Sequence, residues 1–239
     1  MSAVAAGTDT LLRVDGIDTY YGDSHVLRGL SLEVRRGETV ALLGRNGVGK
    51  TTTLRAILGL VASSGRIQVL GDEVAGWPTH RIVRLGIGYV PEDRDVFSSL
   101  SVEQNLRLAE SGSGANYDEV FSLFPELKQR GRQRAGTLSG GQQQMLSIAR
   151  ALLNSRPLLL IDEPSKGLAP KIVSEFAGVL ERAAQHSTVL LVEQNLSVVK
   201  RLAQSIVVLD HGEVVHLGEV SDLDDPTLVR QLLGVAGAA

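Results

Sequence analysis

The sequence predicts an α/β fold whose core is a mainly parallel sheet. The runs Leu158–Ile161 and Thr188–Val192 are almost continuously apolar, which is typical of parallel strands that are covered on both faces. Helical patterns at Ile172–Gln185 and Leu196–Ala203 alternate with these strands, as the connections of a parallel sheet require. These two observations predict a sheet that lies between layers of helices.

The N-terminal region predicts a small antiparallel β subdomain. Three short β-like runs, Leu11–Val14, Ile17–Tyr21 and Leu30–Val34, precede a turn at Arg35–Glu38 and the strand Thr39–Leu43. Further strands are expected at Ile67–Leu70, Ile87–Val90 and Ile206–Leu209.

A polar, helix-rich middle segment interrupts the core and predicts an inserted helical subdomain. We expect a single domain, with core segments at about 10–91 and 156–220 and the helical insert at about 92–155. A short C-terminal helix is expected at about 225–234, because Asp225 and Pro226 suit its N-cap and first turn.

The composition excludes several classes of function. The chain has no cysteine, which excludes disulfides, thiol nucleophiles and zinc–thiolate sites and fits a reducing cytoplasm. A net charge of −3 gives no electrostatic footprint for nucleic acid. No apolar run approaches the ~18–20 residues that span a bilayer, and Met1–Thr10 lacks the features of a secretory signal. Any membrane role is therefore expected to be peripheral.

The segment that follows the strand Thr39–Leu43 fits G-x-x-x-x-G-K-[ST], the phosphate-binding loop of nucleoside triphosphatases. It consists of Gly44, Arg45, Asn46, Gly47, Val48, Gly49, Lys50 and Thr51, and the next residue is Thr52. Backbone N–H groups of such a loop, with the N-terminus of the next helix, bind a triphosphate. Lys50 is expected to reach the β- and γ-phosphates of ATP, and Thr51 to bind Mg²⁺. The alternative is a glycine-rich turn without a ligand.

A second motif consists of an apolar strand that ends in two acids, Asp162 and Glu163. Beside a phosphate-binding loop, the aspartate at such a strand end holds Mg²⁺. Glu163 is then positioned to orient or deprotonate the attacking water. A polar strand end without a function is the alternative, but the loop already requires an acidic partner for its metal ion.

A third motif, Leu138-Ser-Gly-Gly-Gln142, opens a helix and predicts a second anion site. Its candidate residues are Ser139, Gly140, Gly141 and Gln142, because glycines in the first turn leave N–H groups bare. The alternative is an ordinary helix cap made by Ser139. A cap alone does not explain two glycines in the first turn, each of which costs about 1 kcal/mol relative to alanine.

The three motifs in this order resemble the ATP-binding subunit of ABC transporters over essentially the whole chain. The resemblance implies the P-loop NTPase (RecA-like) fold and a head-to-tail pair of subunits, in which ATP lies between one subunit's P-loop and the other's LSGGQ segment. It implies that Ser139, Gly140 and Gly141 contact the γ-phosphate bound to the partner. Tyr21 matches the aromatic residue that stacks on adenine; a half-buried strand tyrosine is the alternative.

Two positions depart from the family's pattern. Glu92 replaces a glutamine that senses metal and water, and Gln194 replaces the switch histidine. Glu92 can bind Mg²⁺ more strongly than an amide but repels phosphate, and Gln194 can donate a hydrogen bond to the γ-phosphate but carries no charge. We therefore expect a slower or asymmetric ATPase, and a heterodimer rather than a homodimer.

The runs Val90–Glu92, Ser165–Pro170 and Val192–Asn195 resemble the second ATPase of branched-chain amino acid importers, whose close relatives serve urea and short amides. This implies a second ATPase subunit (a related chain or a copy of itself), two membrane permease subunits and a periplasmic or extracellular substrate-binding protein. Asp93–Leu100 resembles the groove for a permease helix, where Phe97 and Leu100 are candidate contacts unless they belong to the core. Alternatives are a non-transport ABC ATPase and an ATP-dependent assembly module.

Overall fold

The computed structural model describes residues 9–111, 114–185 and 187–234. The strands are β1 Thr10–Tyr21, β2 Ser24–Arg35, β3 Thr39–Leu43, β4 Arg66–Val69, β5 Asp72–Glu73, β6 Ile87–Val90, β7 Leu158–Asp162, β8 Thr188–Val192, β9 Ser205–Asp210 and β10 Glu213–Glu219. The helices are α1 Lys50–Ile57, α2 Thr79–Val83, α3 Val102–Arg107, α4 Tyr117–Leu123, α5 Pro125–Gln129, α6 Gly140–Leu152, α7 Pro170–Ala184, α8 Leu196–Leu202 and α9 Pro226–Leu233.

The predicted α/β fold is confirmed. A six-stranded sheet has the order β10-β9-β3-β8-β7-β6 and is parallel except where β10 pairs with β9. In β7, Leu158 and Leu160 face one apolar cluster while Leu159 and Ile161 face another. Successive side chains of a strand point to opposite faces, so this division explains why the strand is apolar throughout.

The N-terminal strands form a separate antiparallel sheet with the order β2-β1-β4-β5. Two predicted strands prove to be one, because β1 continues through Gly16, which has a φ of 59° at a shift of register. The prediction also began β2 too late, at Leu30 instead of Ser24. The first half of β2 is more exposed and less regular in its apolar pattern, so periodicity did not find it.

The edge strand β10 was not predicted. Its residues alternate between exposed and half-buried, and they follow β9 after the tight turn at His211 and Gly212, which both have positive φ. Such a turn joins adjacent antiparallel strands.

Helices α3 to α6 lie between β6 and β7 along the chain and pack around Phe124, Leu127 and Leu146. Across the ranges given above, we find no helix that combines the length and the apolar character needed to cross a membrane.

Candidate functional site

The phosphate-binding loop connects β3 to α1 and is pressed against neighbouring strands. A Cβ atom on Gly44 would lie 2.4 Å from the carbonyl oxygen of Leu209, and one on Gly49 would lie 2.6 Å from Cδ2 of Leu27. Both glycines also have positive φ, 144° and 113°. Only glycine tolerates such contacts and angles, so the loop can curve tightly and direct the N-terminus of α1 into an open cleft.

Lys50 begins α1 and is only 4% exposed. Its Nζ atom donates hydrogen bonds to the carbonyl oxygens of Gly44, at 2.9 Å, and Arg45, at 3.0 Å. It also lies 3.4 Å from Oε1 of Glu163. The ammonium group is therefore held inside the curve of the loop by three oxygen atoms, where an anionic ligand could replace them.

Thr51 and Asp162 meet although 111 residues separate them, because β7 ends beside the start of α1. The Thr51 hydroxyl donates a 3.2 Å hydrogen bond to Oδ1 of Asp162. The other oxygen, Oδ2, is buried, and no group in the described part of the chain donates to it. Burial raises the pKa of Asp162 to about 6, and the hydrogen bond from Thr51 opposes this rise. A buried carboxylate oxygen without a donor, beside a hydroxyl, fits a hydrated Mg²⁺ ion.

Glu163 follows β7 with an unusual backbone angle, a φ of 42°. Its N–H donates to the carbonyl oxygen of Val192, at 2.9 Å, so β8 holds this turn. The side chain is nearly buried, and Oε1 accepts a 2.6 Å hydrogen bond from Nε2 of Gln194. Gln194 also donates to Oδ1 of Asn46. This amide therefore joins the candidate base to the phosphate-binding loop.

Sequence reasoning missed Glu193, which is 2% exposed. Its carboxylate accepts hydrogen bonds from Ser165 N, at 3.3 Å, and Ser165 Oγ, at 2.9 Å. It also accepts from the backbone N–H groups of Gln194, at 2.8 Å, and Asn195, at 2.9 Å. One side chain thus ties the loop after β7 to the loop after β8. An acid directly after an apolar strand was the available signal.

Sequence reasoning also missed Lys166, which is paired with Glu92. Both residues line a cleft of about 420 Å³, together with Glu163 and the loop residues Asn46, Gly47, Gly49, Lys50, Thr51 and Thr52. Glu92 therefore lies in the same cleft as the predicted metal ligand Thr51, which is hydrogen-bonded to Asp162, but the observed partner of Glu92 is Lys166. No signal in spacing could have found this pair, because 74 residues separate its members.

The Ser139–Gln142 segment forms the start of α6, as predicted. Ser139 Oγ accepts a 3.3 Å hydrogen bond from Gln142 N, and Gln142 Oε1 accepts one of 3.0 Å from Ser139 N. The helix cap that was the alternative interpretation is therefore present. Within the described ranges, the segment contributes no residue to the lining of the cleft beside Lys50, so any phosphate that it binds lies elsewhere.

Tyr21 ends β1 and is 45% exposed, so its ring is open to a ligand. Its hydroxyl lies beside Arg55 of α1 and raises the pKa of that guanidinium. The neighbouring Tyr20 stacks on His25, with ring centroids 4.2 Å apart. Of the two tyrosines, Tyr21 is therefore the one whose ring has no aromatic partner in the described residues.

In the segment Asp93–Leu100, the side chain of Phe97 is 48% exposed, which excludes it from the core. The guanidinium of Arg150 lies over its ring, 5.1 Å from the centroid. Leu100 is half-buried. The alternative that Phe97 and Leu100 both belong to the core is therefore wrong for Phe97.

Comparisons with a family profile and with individual known proteins point to the same family. A sequence profile of the ABC transporter family matches residues 27–166. The chain is 45% identical over 212 residues to the high-affinity branched-chain amino acid transport ATP-binding protein BraG of Pseudomonas aeruginosa, covering 86% of this chain and 91% of that one. It is 34% identical to the probable branched-chain amino acid transport ATP-binding protein LivF of Archaeoglobus fulgidus, covering 89% and 94%.

Among solved structures, the fold is similar to that of an ATP-binding subunit of an ABC transporter. That similarity has a TM-score of 0.77 at 32% identity and covers 96% of each chain. A nucleotide-free ATP-binding cassette from an ABC transporter matches with a TM-score of 0.80 at 25% identity, covering 95% of this chain and 100% of that one.

Proposed function

The chain belongs to the ABC transporter family, and on this premise we propose that it is the ATP-hydrolysing subunit of an importer for branched-chain amino acids. It works on the cytoplasmic face of the cell membrane with a second ATPase subunit and two permease subunits, which receive cargo from a substrate-binding protein. The observation that carries the proposal is the convergence of Lys50, Thr51 and Glu163 on one cleft, where Thr51 is also hydrogen-bonded to Asp162. The identity of 45% to the Pseudomonas aeruginosa protein supports the cargo class.

Nucleotide binding uses groups that the chain without nucleotide already brings together beside one cleft. The N–H groups of the loop Gly44–Gly49 and of the first turn of α1 bind phosphate oxygens, while Lys50 exchanges its carbonyl partners for the β- and γ-phosphates. Thr51 and Asp162 would hold Mg²⁺, and the bound ion would neutralise part of the phosphate charge. Tyr21 stacks on the adenine ring.

Hydrolysis requires a base and a group that orients the γ-phosphate. When Lys50 turns to phosphate, Glu163 loses its ion pair with that lysine and can accept a proton from the attacking water. Gln194, which contacts both Glu163 and the loop, donates its amide to the γ-phosphate. Glu163 is thus the proton acceptor, and Gln194 holds the reacting group beside it.

The Ser139–Gln142 segment serves the nucleotide bound to the second subunit. Its N–H groups and the Ser139 hydroxyl bind the γ-phosphate across the interface, so ATP favours the closed pair. When the γ-phosphate is cleaved, that contact is lost and the open pair is favoured again. The movement is transmitted to the permease subunits.

The role of Glu163 is tested with Glu163→Gln, which preserves shape but accepts no proton. We expect kcat to fall about 10²-fold or more, while ATP affinity stays within a few-fold and ATP-bound pairs persist during size-exclusion chromatography. Glu213→Gln, at an exposed position of β10, is the matched control and should behave as the unchanged chain. Normal turnover of Glu163→Gln would place the base elsewhere.

The cargo class is tested by reconstitution with the permease subunits and the substrate-binding protein in proteoliposomes. Leucine, isoleucine or valine should stimulate ATP hydrolysis and accumulate inside. Stimulation by urea or short amides, with none by the amino acids, would refute the cargo class and leave the ATPase assignment intact.

A further inference from the structure

The cleft beside the phosphate-binding loop contains carboxylates, which repel the negatively charged triphosphate that we propose as its ligand. Glu92 and Glu163 both line the cleft, and Asp162, which directly precedes Glu163, is hydrogen-bonded to the lining residue Thr51. A triphosphate adds further negative charge to the same region. Lys50 is one compensating cation, but its partner is Glu163 and it is assigned to the phosphates. The carboxylate of Glu92 therefore needs a counter-charge of its own.

Lys166 is positioned to supply that charge. It follows Glu163 by three residues, and its N–H donates to the carbonyl oxygen of Glu163, at 3.1 Å, which fixes the turn. Its ammonium group pairs with Glu92 and lies 3.6 Å from Oε2 of Glu163. The hydrogen bond that Lys166 donates to Glu92 raises the pKa of Lys166, so the side chain is charged whenever the pair is present.

We propose that Lys166 neutralises Glu92, so that the Glu92–Lys166 pair acts as a neutral unit at the terminal-phosphate end of the cleft. This inference rests on the proposed function, since it concerns the same nucleotide site. Lys166 acts through Glu92 and is a positioning residue, not a catalytic one. The pair therefore places a polar group without net charge in the wall of the cleft, although Glu92 itself is an acid.

The proposal predicts how nucleotide affinity depends on the two charges. Removing only the lysine leaves Glu92 unpaired near the γ-phosphate, which weakens ATP binding. ADP has no γ-phosphate and should be affected less. Lys166 is 55% exposed, so solvent screens the interaction, and we expect a loss of roughly fivefold to tenfold for ATP, on the order of 1 kcal/mol.

The test is a double-mutant cycle on the full chain, in which the charges of Lys166 and Glu92 are removed singly and together. The affinities for ATP and ADP are measured by displacement of a fluorescent nucleotide. Measurements in EDTA remove any contribution of metal to Glu92. Lys166→Met should weaken ATP binding by the stated factor, and Lys166→Arg should not. In the Glu92→Gln background, Lys166→Met should have almost no effect, because no charge remains to be neutralised.

Lys200→Met is the matched control, since Lys200 lies on α8 and forms an exposed ion pair with Asp224, outside the cleft. It should leave both affinities unchanged. Equal losses from Lys166→Met in both backgrounds would overturn the proposal, because the lysine would then act directly on phosphate. No loss in either background would overturn it as well.

The same assay distinguishes failure of the proposed function from failure of the role proposed for Lys166. Lys50→Ala should abolish nucleotide binding whether or not Lys166 has the assigned role. If Lys50→Ala binds ATP normally, the nucleotide site itself is wrong, and the result for Lys166 is not needed to reach that conclusion.

Discussion

Glu193→Ala is predicted to destabilise the chain, because it removes the acceptor shared by two loops. The carboxylate accepts from three backbone N–H groups and one hydroxyl, at 2.8–3.3 Å, and is 2% exposed. The hydroxyl of Ser165 can rotate to another acceptor, but the N–H groups cannot. A buried donor left unsatisfied costs about 1–3 kcal/mol. Since water can enter the space left by the side chain, we use about 1 kcal/mol for each N–H group, which gives about 3 kcal/mol in all.

For a chain of this size, about 3 kcal/mol corresponds to a fall in Tm of about 6–12 °C. The assay is thermal unfolding followed by circular dichroism, with Glu213→Ala on the exposed edge strand as the matched control. The isosteric Glu193→Gln keeps one acceptor oxygen and should fall between the two. If Glu193→Ala changes Tm by no more than the control does, the carboxylate does not hold the loops as described. Because Gln194 is one of the anchored residues, kcat should also fall while the KM for ATP stays nearly constant.

Three further predictions concern the nucleotide site. Lys50→Ala should lose detectable binding of fluorescent ATP, because no other buried cation enters the loop in the described residues; normal binding would remove Lys50 from the site. Gln194→His should give equal or higher ATPase activity, since the imidazole can donate to the γ-phosphate and carry charge; an inactive variant would show that this position does not face the phosphate. The pKa of Asp162 is raised to about 6 in the folded, metal-free chain, above the value of about 4 expected when it is unfolded. The folded state therefore holds the proton more tightly, so stability falls as pH rises from about 4 to about 6. Asp162→Asn should reduce that fall in denaturant titrations in EDTA, and an unchanged pH profile would contradict the raised pKa.

The sequence predicted those elements whose residue pattern follows directly from their burial in the fold. The buried strands β3, β7 and β8 are apolar on both faces, so their composition alone identifies them. The meeting of Thr51 and Asp162 was predictable because parallel strands end at one edge of the sheet, and the motifs lie at those ends. Edge strand β10 was missed, because its alternation of exposed and half-buried residues is weak and no face of it is fully buried.

Contacts between loops could not be predicted in the same way. Ser165 and Glu193 are 28 residues apart, and Glu92 and Lys166 are 74 apart. Nothing in the spacing of these residues indicates that they touch, because their contact depends on the order of strands in the sheet. The sequence could identify Glu92 as an unusual acid but not the lysine that accompanies it.

The hydrogen-bonding capacity of Ser139 allows this residue to cap helix α6 and also to bind a phosphate oxygen. Its oxygen receives the N–H of Gln142 through a lone pair, and a hydroxyl has one hydrogen in addition to its two lone pairs. Closing the first turn of α6 therefore does not use the hydrogen that an incoming oxyanion requires. The two interpretations of this serine are compatible, and the same cap that shapes the helix keeps the hydroxyl oriented before a second subunit arrives.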